Sequence, residues 1–281
     1  AVRFLARHYV QQKDYASAIA YYEEALDAAG LSGVANREML RELAQVYLLD
    51  SNHSLAAVVL QRALDIDLVP DARDFLLLAQ AHYRMGDYVA VVVALDGIQA
   101  NGLKLEVQQL HQALALYYRA GAYEQCENIL KQLLKVEVDN PENWHQLASV
   151  YLQQNKQKQA LDHLNLAFEK RVPFTESELL LLVDLQAVNG NPYGAAMTLQ
   201  NAIAQDAVSA DAVNQRKLFE LWLQARERDK AKAALVTAAQ ISGDTELYLY
   251  LAQLQMEEEE WVPVQSTLLE ACEEQLQDRF V

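Results

Sequence analysis

Trp144-x-x-Leu147-Ala148-x-x-Tyr151, followed by Ala160, Leu164 and Ala167, decides the fold. Apolar residues at i, i+3, i+4 and i+7 draw one stripe along each of two successive helices. The small residues among them let the two helices cross closely. The same order returns along the chain. It reads Leu5-Ala6-x-x-Tyr9 with Tyr15, Ala18 and Tyr22, then Leu43-Ala44-x-x-Tyr47 with Ala56, Leu60 and Ala63. It continues as Leu78-Ala79-x-x-His82 with Val91, Leu95 and Ile98, and as Ala113-Leu114-x-x-Tyr117 with Cys126, Leu130 and Leu133. Looser copies hold Leu182, Ala195 and Leu199; Leu218, Ala231 and Leu235; and Leu251, Val264 and Leu268.

The equivalent small residue falls at 18, 56, 91, 126, 160, 195, 231 and 264, so the gaps are 38, 35, 35, 34, 35, 36 and 33. This spacing and content resemble the tetratricopeptide repeat (TPR), a 34-residue helix-turn-helix unit. The resemblance implies an all-α fold: a right-handed α-α superhelix of about eight repeats. The expected organisation is one solenoid over 1–281, with repeats at 1–33, 36–70, 71–104, 105–139, 140–174, 175–209, 210–243 and 244–278. A single helix pair cannot bury its apolar faces, so neighbours must stack. Gly86, Gly121 and Gly190 are expected to end first helices in the left-handed conformation. Pro70, Pro141 and Pro173 fall between repeats, and Thr175-x-x-Glu178 reads as a capping box. The wide first gap predicts an extended loop around Gly30-Leu31-Ser32-Gly33.

Composition agrees with helix. Gly (9) and Pro (5) make 14 of 281 residues, about 5%, against about 12% in an average chain. That leaves too few turn formers for a sandwich or barrel. No apolar run nears the roughly 20 residues that span a bilayer. The net charge of −16 argues against nucleic acid and anionic membrane as partners. The chain opens on Ala1 within a helical pattern and without Met, so it reads as trimmed and says nothing of compartment.

The chemistry of catalysis is missing from the pattern. There is no GxSxG, HExxH, P-loop or GxGxxG, and the six His form no i, i+4 ligand pair. Cys126 and Cys272 belong to no metal-ligand cluster, and both are expected to be small buried residues. The run Glu257-Glu258-Glu259-Glu260 lacks the glycine turn of a calcium loop and is expected to be a solvated turn. No enzyme, cofactor or metal is expected. Function in a solenoid lies on the concave face lined by the first helix of each repeat. Of the 19 such slots in repeats 1–4, six hold arginine: Arg3, Arg7, Arg41, Arg73, Arg84 and Arg119. Chance placement of 13 arginines would give about one. Later slots are acidic: Glu142, Asp184, Glu220, Glu246 and Glu257 against Arg216. Arg41, Arg73, Gln80, Tyr83, Arg84, His111, Tyr118, Arg119 and His145 are therefore the candidate site. Their chemistry suits an extended acidic peptide or a C-terminal carboxylate.

A narrower resemblance covers roughly residues 105–275. It rests on Asn140-Pro141-Glu142-Asn143-Trp144 and on Gly190-Asn191-Pro192-Tyr193-x-Ala195-Ala196. This run resembles the TPR proteins encoded beside the ExbB–ExbD–TonB genes of gram-negative bacteria. It implies a periplasmic or envelope-associated accessory that contacts TonB-system proteins. Two other roles suit a peptide-binding solenoid. One is a regulatory receptor that senses a short peptide. The other is an adaptor that positions a catalytic partner in envelope or glycan biogenesis.

Overall fold

The computed structural model describes residues 2–27, 33–66 and 70–278. The described residues form sixteen α-helices and no strand. Their contacts group into two compact units, Ala1–Gln154 and Asn155–Val281. The division falls inside the expected fifth repeat, where a single solenoid was anticipated.

The first unit holds α1 (Val2–Gln11), α2 (Tyr15–Asp27), α3 (Gly33–Leu49), α4 (His53–Leu64), α5 (Ala72–Met85), α6 (Tyr88–Ala100), α7 (Val107–Arg119), α8 (Tyr123–Val136) and α9 (Pro141–Gln153). The second holds α10 (Gln157–Glu169), α11 (Glu176–Val188), α12 (Pro192–Ala204), α13 (Ala212–Gln224), α14 (Arg228–Ser242), α15 (Thr245–Glu257) and α16 (Trp261–Asp278). Within each unit a helix packs mainly on its neighbours in sequence, as stacked helix pairs require.

The periodic small residues do what their spacing demands. Ala18, Ala56, Val91, Cys126, Ala160, Ala195 and Ala231 are fully or almost fully buried, and Val264 is buried. In the second unit Leu182, Leu199, Trp222 and Leu235 fill the space around them. Five positions before each small residue the chain turns through a left-handed residue: Lys13, Ser51, Gly86, Gly121, Asn155, Gly190, Arg226 and Glu259, with φ between 58° and 84°. The three expected glycines are there. The other five turns use side-chain-bearing residues that the glycine signal does not reveal.

Caps follow the sequence. Asn140 accepts from the Glu142 amide (3.1 Å) ahead of Pro141. Thr175 and Glu178 form the reciprocal capping box. The first gap needs less loop than expected: α3 begins at Gly33 and runs 17 residues, longer than the first helices that follow. The rest of the expected loop lies outside the described residues. Cys126 is buried as expected, but Cys272 is exposed. It sits on the solvent side of α16, one residue beyond buried Ala271. Glu257–Glu260 is more than a solvated turn: Glu258 and Glu260 (3.1 Å) both grip Lys232 of α14.

Candidate functional site

In the first unit the first helices of repeats 2–5 line three adjoining hollows. One of ≈ 540 Å³ lies between α3, α4 and α5 and includes Gln45, Leu77, Gln80 and Arg84. The next, ≈ 560 Å³, shares Gln45, Leu77 and Gln80 and adds Arg41, Arg73, Gln108, Gln112 and Ala115. The third, ≈ 390 Å³, shares Ala115 and adds His111, Tyr118, Arg119, Gln146 and Ser149. The shared residues make these one trough, where Gln, Arg and His side chains stand among leucines. Leu77, Gln109 and Gln112 line it although they fall outside the expected slots. They stand one helical step to the side, which a consensus register alone does not resolve.

The candidate arginines differ in what their charge already holds. Arg41 is buried. Its guanidinium takes both oxygens of Asp74, with Nη2–Oδ2 at 2.9 Å, and also reaches Asp71 at 3.1 Å. Asp74 has no solvent exposure. Arg41 is thus a bridge between α3 and α5, and the Asp74 hydrogen bond raises its pKa. Arg73 pairs with Asp71, the N-cap of its own helix, at 2.6 Å, while its side chain remains 63% exposed. Arg3 (2.6 Å) and Arg7 converge on Glu42, which also accepts from the Tyr22 hydroxyl at 3.0 Å. Burial works to raise the Glu42 pKa, yet the hydrogen bonds from Arg3, Arg7 and Tyr22 outweigh it and hold it at about 2. Asp71 is held at about 2 in the same way: burial opposes, and the Arg73 side-chain and backbone bonds prevail.

The expected basic half of the face is therefore largely neutralised from within. Two arginines remain without a carboxylate among the described residues, Arg84 and Arg119. Arg84 is exposed at the rim of the first hollow. Arg119 donates to the Tyr83 hydroxyl (2.6 Å) and lies 5.4 Å from that ring's centre. Tyr118 stands beside it, edge-on to Tyr123 at 5.7 Å. His111 meets Glu137 at 2.9 Å. The geometry brings Arg41, Arg73, Gln80, Arg84, His111, Tyr118 and Arg119 to one trough, and Tyr83 joins it through Arg119. It does not bring His145, which is half-buried on α9 while Gln146 and Ser149 face the hollow.

The fold is an all-α stack of helix pairs of the kind that solenoid proteins build. The tetratricopeptide-repeat family profile matches residues 4–30, the α1–α2 pair. Among solved structures, a chain in the structure of Naa15/Naa10 bound to HypK-THB is similar over 90% of this chain, with a TM-score of 0.68 and 14% identity. This chain spans 38% of that protein's length. A tetratricopeptide repeat protein from Parabacteroides merdae is similar over 91% of this chain and 97% of its own (TM-score 0.43, 15% identity). MamA is similar over 60% of this chain and 89% of its own (TM-score 0.47, 17% identity). No curated protein sequence matches the chain.

Proposed function

We propose that this protein is a non-catalytic scaffold whose trough between Gln45 and Ser149 holds an extended segment of a partner protein. The observation that carries this reading is the pair of cations that meet no carboxylate among the described residues. Arg84 and Arg119 stand at the trough with no carboxylate of their own, whereas Arg3, Arg7, Arg41 and Arg73 are occupied. Each offers a planar fork for a side-chain or C-terminal carboxylate. Gln45, Gln80, Gln108 and Gln112 supply donors and acceptors for an extended backbone. Tyr118 gives a rigid amphipathic contact beside them. A similar fold in the Naa15/Naa10–HypK assembly supports a role in holding protein partners.

The test is a screen of fluorescent peptides with free or amidated C termini against wild type and Arg84→Glu/Arg119→Glu. Binding of the carboxylate forms should weaken at least about tenfold in the variant. Unchanged binding would sink the reading.

For the partner we infer a TonB-system protein in the periplasm or envelope. The support is the motif run of residues 140–203, above all Gly190-Asn191-Pro192-Tyr193. The measurement is capture of purified periplasmic domains of TonB and ExbD; failure of both to bind removes this assignment and leaves the trough reading in place.

A further inference from the structure

A second surface lies on the opposite helices of repeats three and four. An open hollow of ≈ 840 Å³ runs between α6, the 101–106 connection, α7 and α8. Its floor is apolar, with Leu103 half-buried, Ile129 buried and Val136 61% exposed at one end. Its rim carries Lys104, Lys131 and Lys135, and none of its lining residues is acidic. Three lysines on one rim set it apart from the other hollows of a chain with 39 acids and a net charge of −16. Lys131 is partly neutralised by Glu127 at 2.6 Å. Lys104 and Lys135 are exposed and have no carboxylate partner among the described residues. The nearby Asp96 is engaged by the Tyr117 hydroxyl at 2.9 Å.

We propose that this hollow docks an acidic amphipathic helix from a partner protein. Lys131 and Lys135 stand one turn apart on α8, about 5–6 Å between Cβ atoms. That spacing matches carboxylates at i and i+4 on a helix lying alongside. The α8 stretch 128–136 that lines the hollow is about 13 Å long at 1.5 Å per residue. It accommodates apolar anchors at i, i+4 and i+7 of the incoming helix. Removing Val136 and Leu103 from water supplies the apolar part, and the lysines select the acidic flank. Three lysines on a strongly negative chain are too few to hold a polyanionic membrane or nucleic acid. A second copy is a poorer occupant, because Glu258 and Glu260 of its acid run are already committed to Lys232.

The test uses a stapled helix of about four turns with Leu at i, i+4 and i+7 and Glu at the flanking positions. A control peptide carries Lys in place of Glu. Fluorescence anisotropy reads affinity, and methyl NMR of the whole chain reads the contact site. The acidic helix should shift the methyls of Leu103, Ile129 and Val136, and its affinity should fall as salt rises. Lys104→Glu with Lys135→Glu should weaken it at least about tenfold. The variant's melting curve should match wild type, since both side chains are exposed. Arg84→Glu/Arg119→Glu should leave this binding unchanged, which separates it from the trough. The proposal is overturned if wild type does not bind the acidic helix, or if the Lys control binds equally. It is also overturned if the double charge reversal has no effect. Tighter binding of phosphatidylglycerol vesicles or a single-stranded oligonucleotide at the same methyls would replace the partner class. Loss of self-association in the lysine variant would make a second copy the occupant.

Discussion

Arg41 and Arg84 are both arginines on first helices of neighbouring repeats, yet they live in different physical worlds. Arg41 is enclosed and shares Asp74 and Asp71 with its neighbours, while Arg84 stands in water. Removing one partner of a buried pair leaves an uncompensated charge. Asp74→Ala should therefore cost on the order of 3–5 kcal/mol in a denaturant melt. Arg84→Ala should stay within about 0.5 kcal/mol. Equal losses would mean that Arg41 is not a structural bridge. A second residue-scale prediction concerns Gly97 on α6. A Cβ there would meet the Phe75 ring at 2.5 Å, and Phe75 is itself buried. Gly97→Ala should cost about 1–3 kcal/mol, because the ring has no open space to enter. The glycine signal in the sequence pointed to turns; this glycine serves close packing of α6 on α5.

At the scale of the helix pair, the left-handed turn is the recurring joint. Gly86 and Gly121 have no atom within 4 Å of a would-be Cβ, so their value is conformational alone. Ser51, Arg226 and Glu259 adopt the same φ with a side chain that resists it. Ser51→Gly and Arg226→Gly should each stabilise the fold by about 1 kcal/mol, and Gly121→Ala should destabilise by a similar amount. Thermal melts of the three variants check both signs.

The helices, caps and buried small residues were legible because each depends on local spacing. The candidate trough was half legible. First-helix periodicity found Gln80, Arg84, Tyr118 and Arg119. It could not tell that Asp71 and Asp74 at the next first helix neutralise Arg41. Those partners are 30–33 residues away from Arg41, and pairing across a stack is a tertiary fact. The consensus register offers His145 where Gln146 faces the hollow. In a helix one position is 100° of rotation, enough to exchange a trough residue for Gln146.

The two units should differ in how they respond to acid. Glu42 and Asp71, both in the first unit, have folded pKa values near 2, below their ordinary 4.5 and 3.8. A carboxylate depressed by folding adds stability above its unfolded pKa, and that stability is lost as pH falls toward the folded value. The first unit should therefore lose on the order of 2–3 kcal/mol per group between about pH 5 and pH 2. Amide exchange should show α1–α5 opening before α11–α15 as the pH drops. Glu42→Gln should be less stable at pH 7 and should flatten that slope. Simultaneous opening of both units would contradict the expectation.

The two thiols make the chain its own stopwatch. Cys272 is open to solvent, whereas Cys126 is sealed between α7 and α8, where burial pushes its thiol up to about 12. A thiol-reactive dye should count one sulfur within the mixing time. The second should appear only as fast as the fourth repeat breathes. Its lag would report the lifetime of the helix pair that carries Tyr118 and Arg119 on one side and the lysine-rimmed hollow on the other. Any ligand that grips either side should slow that clock.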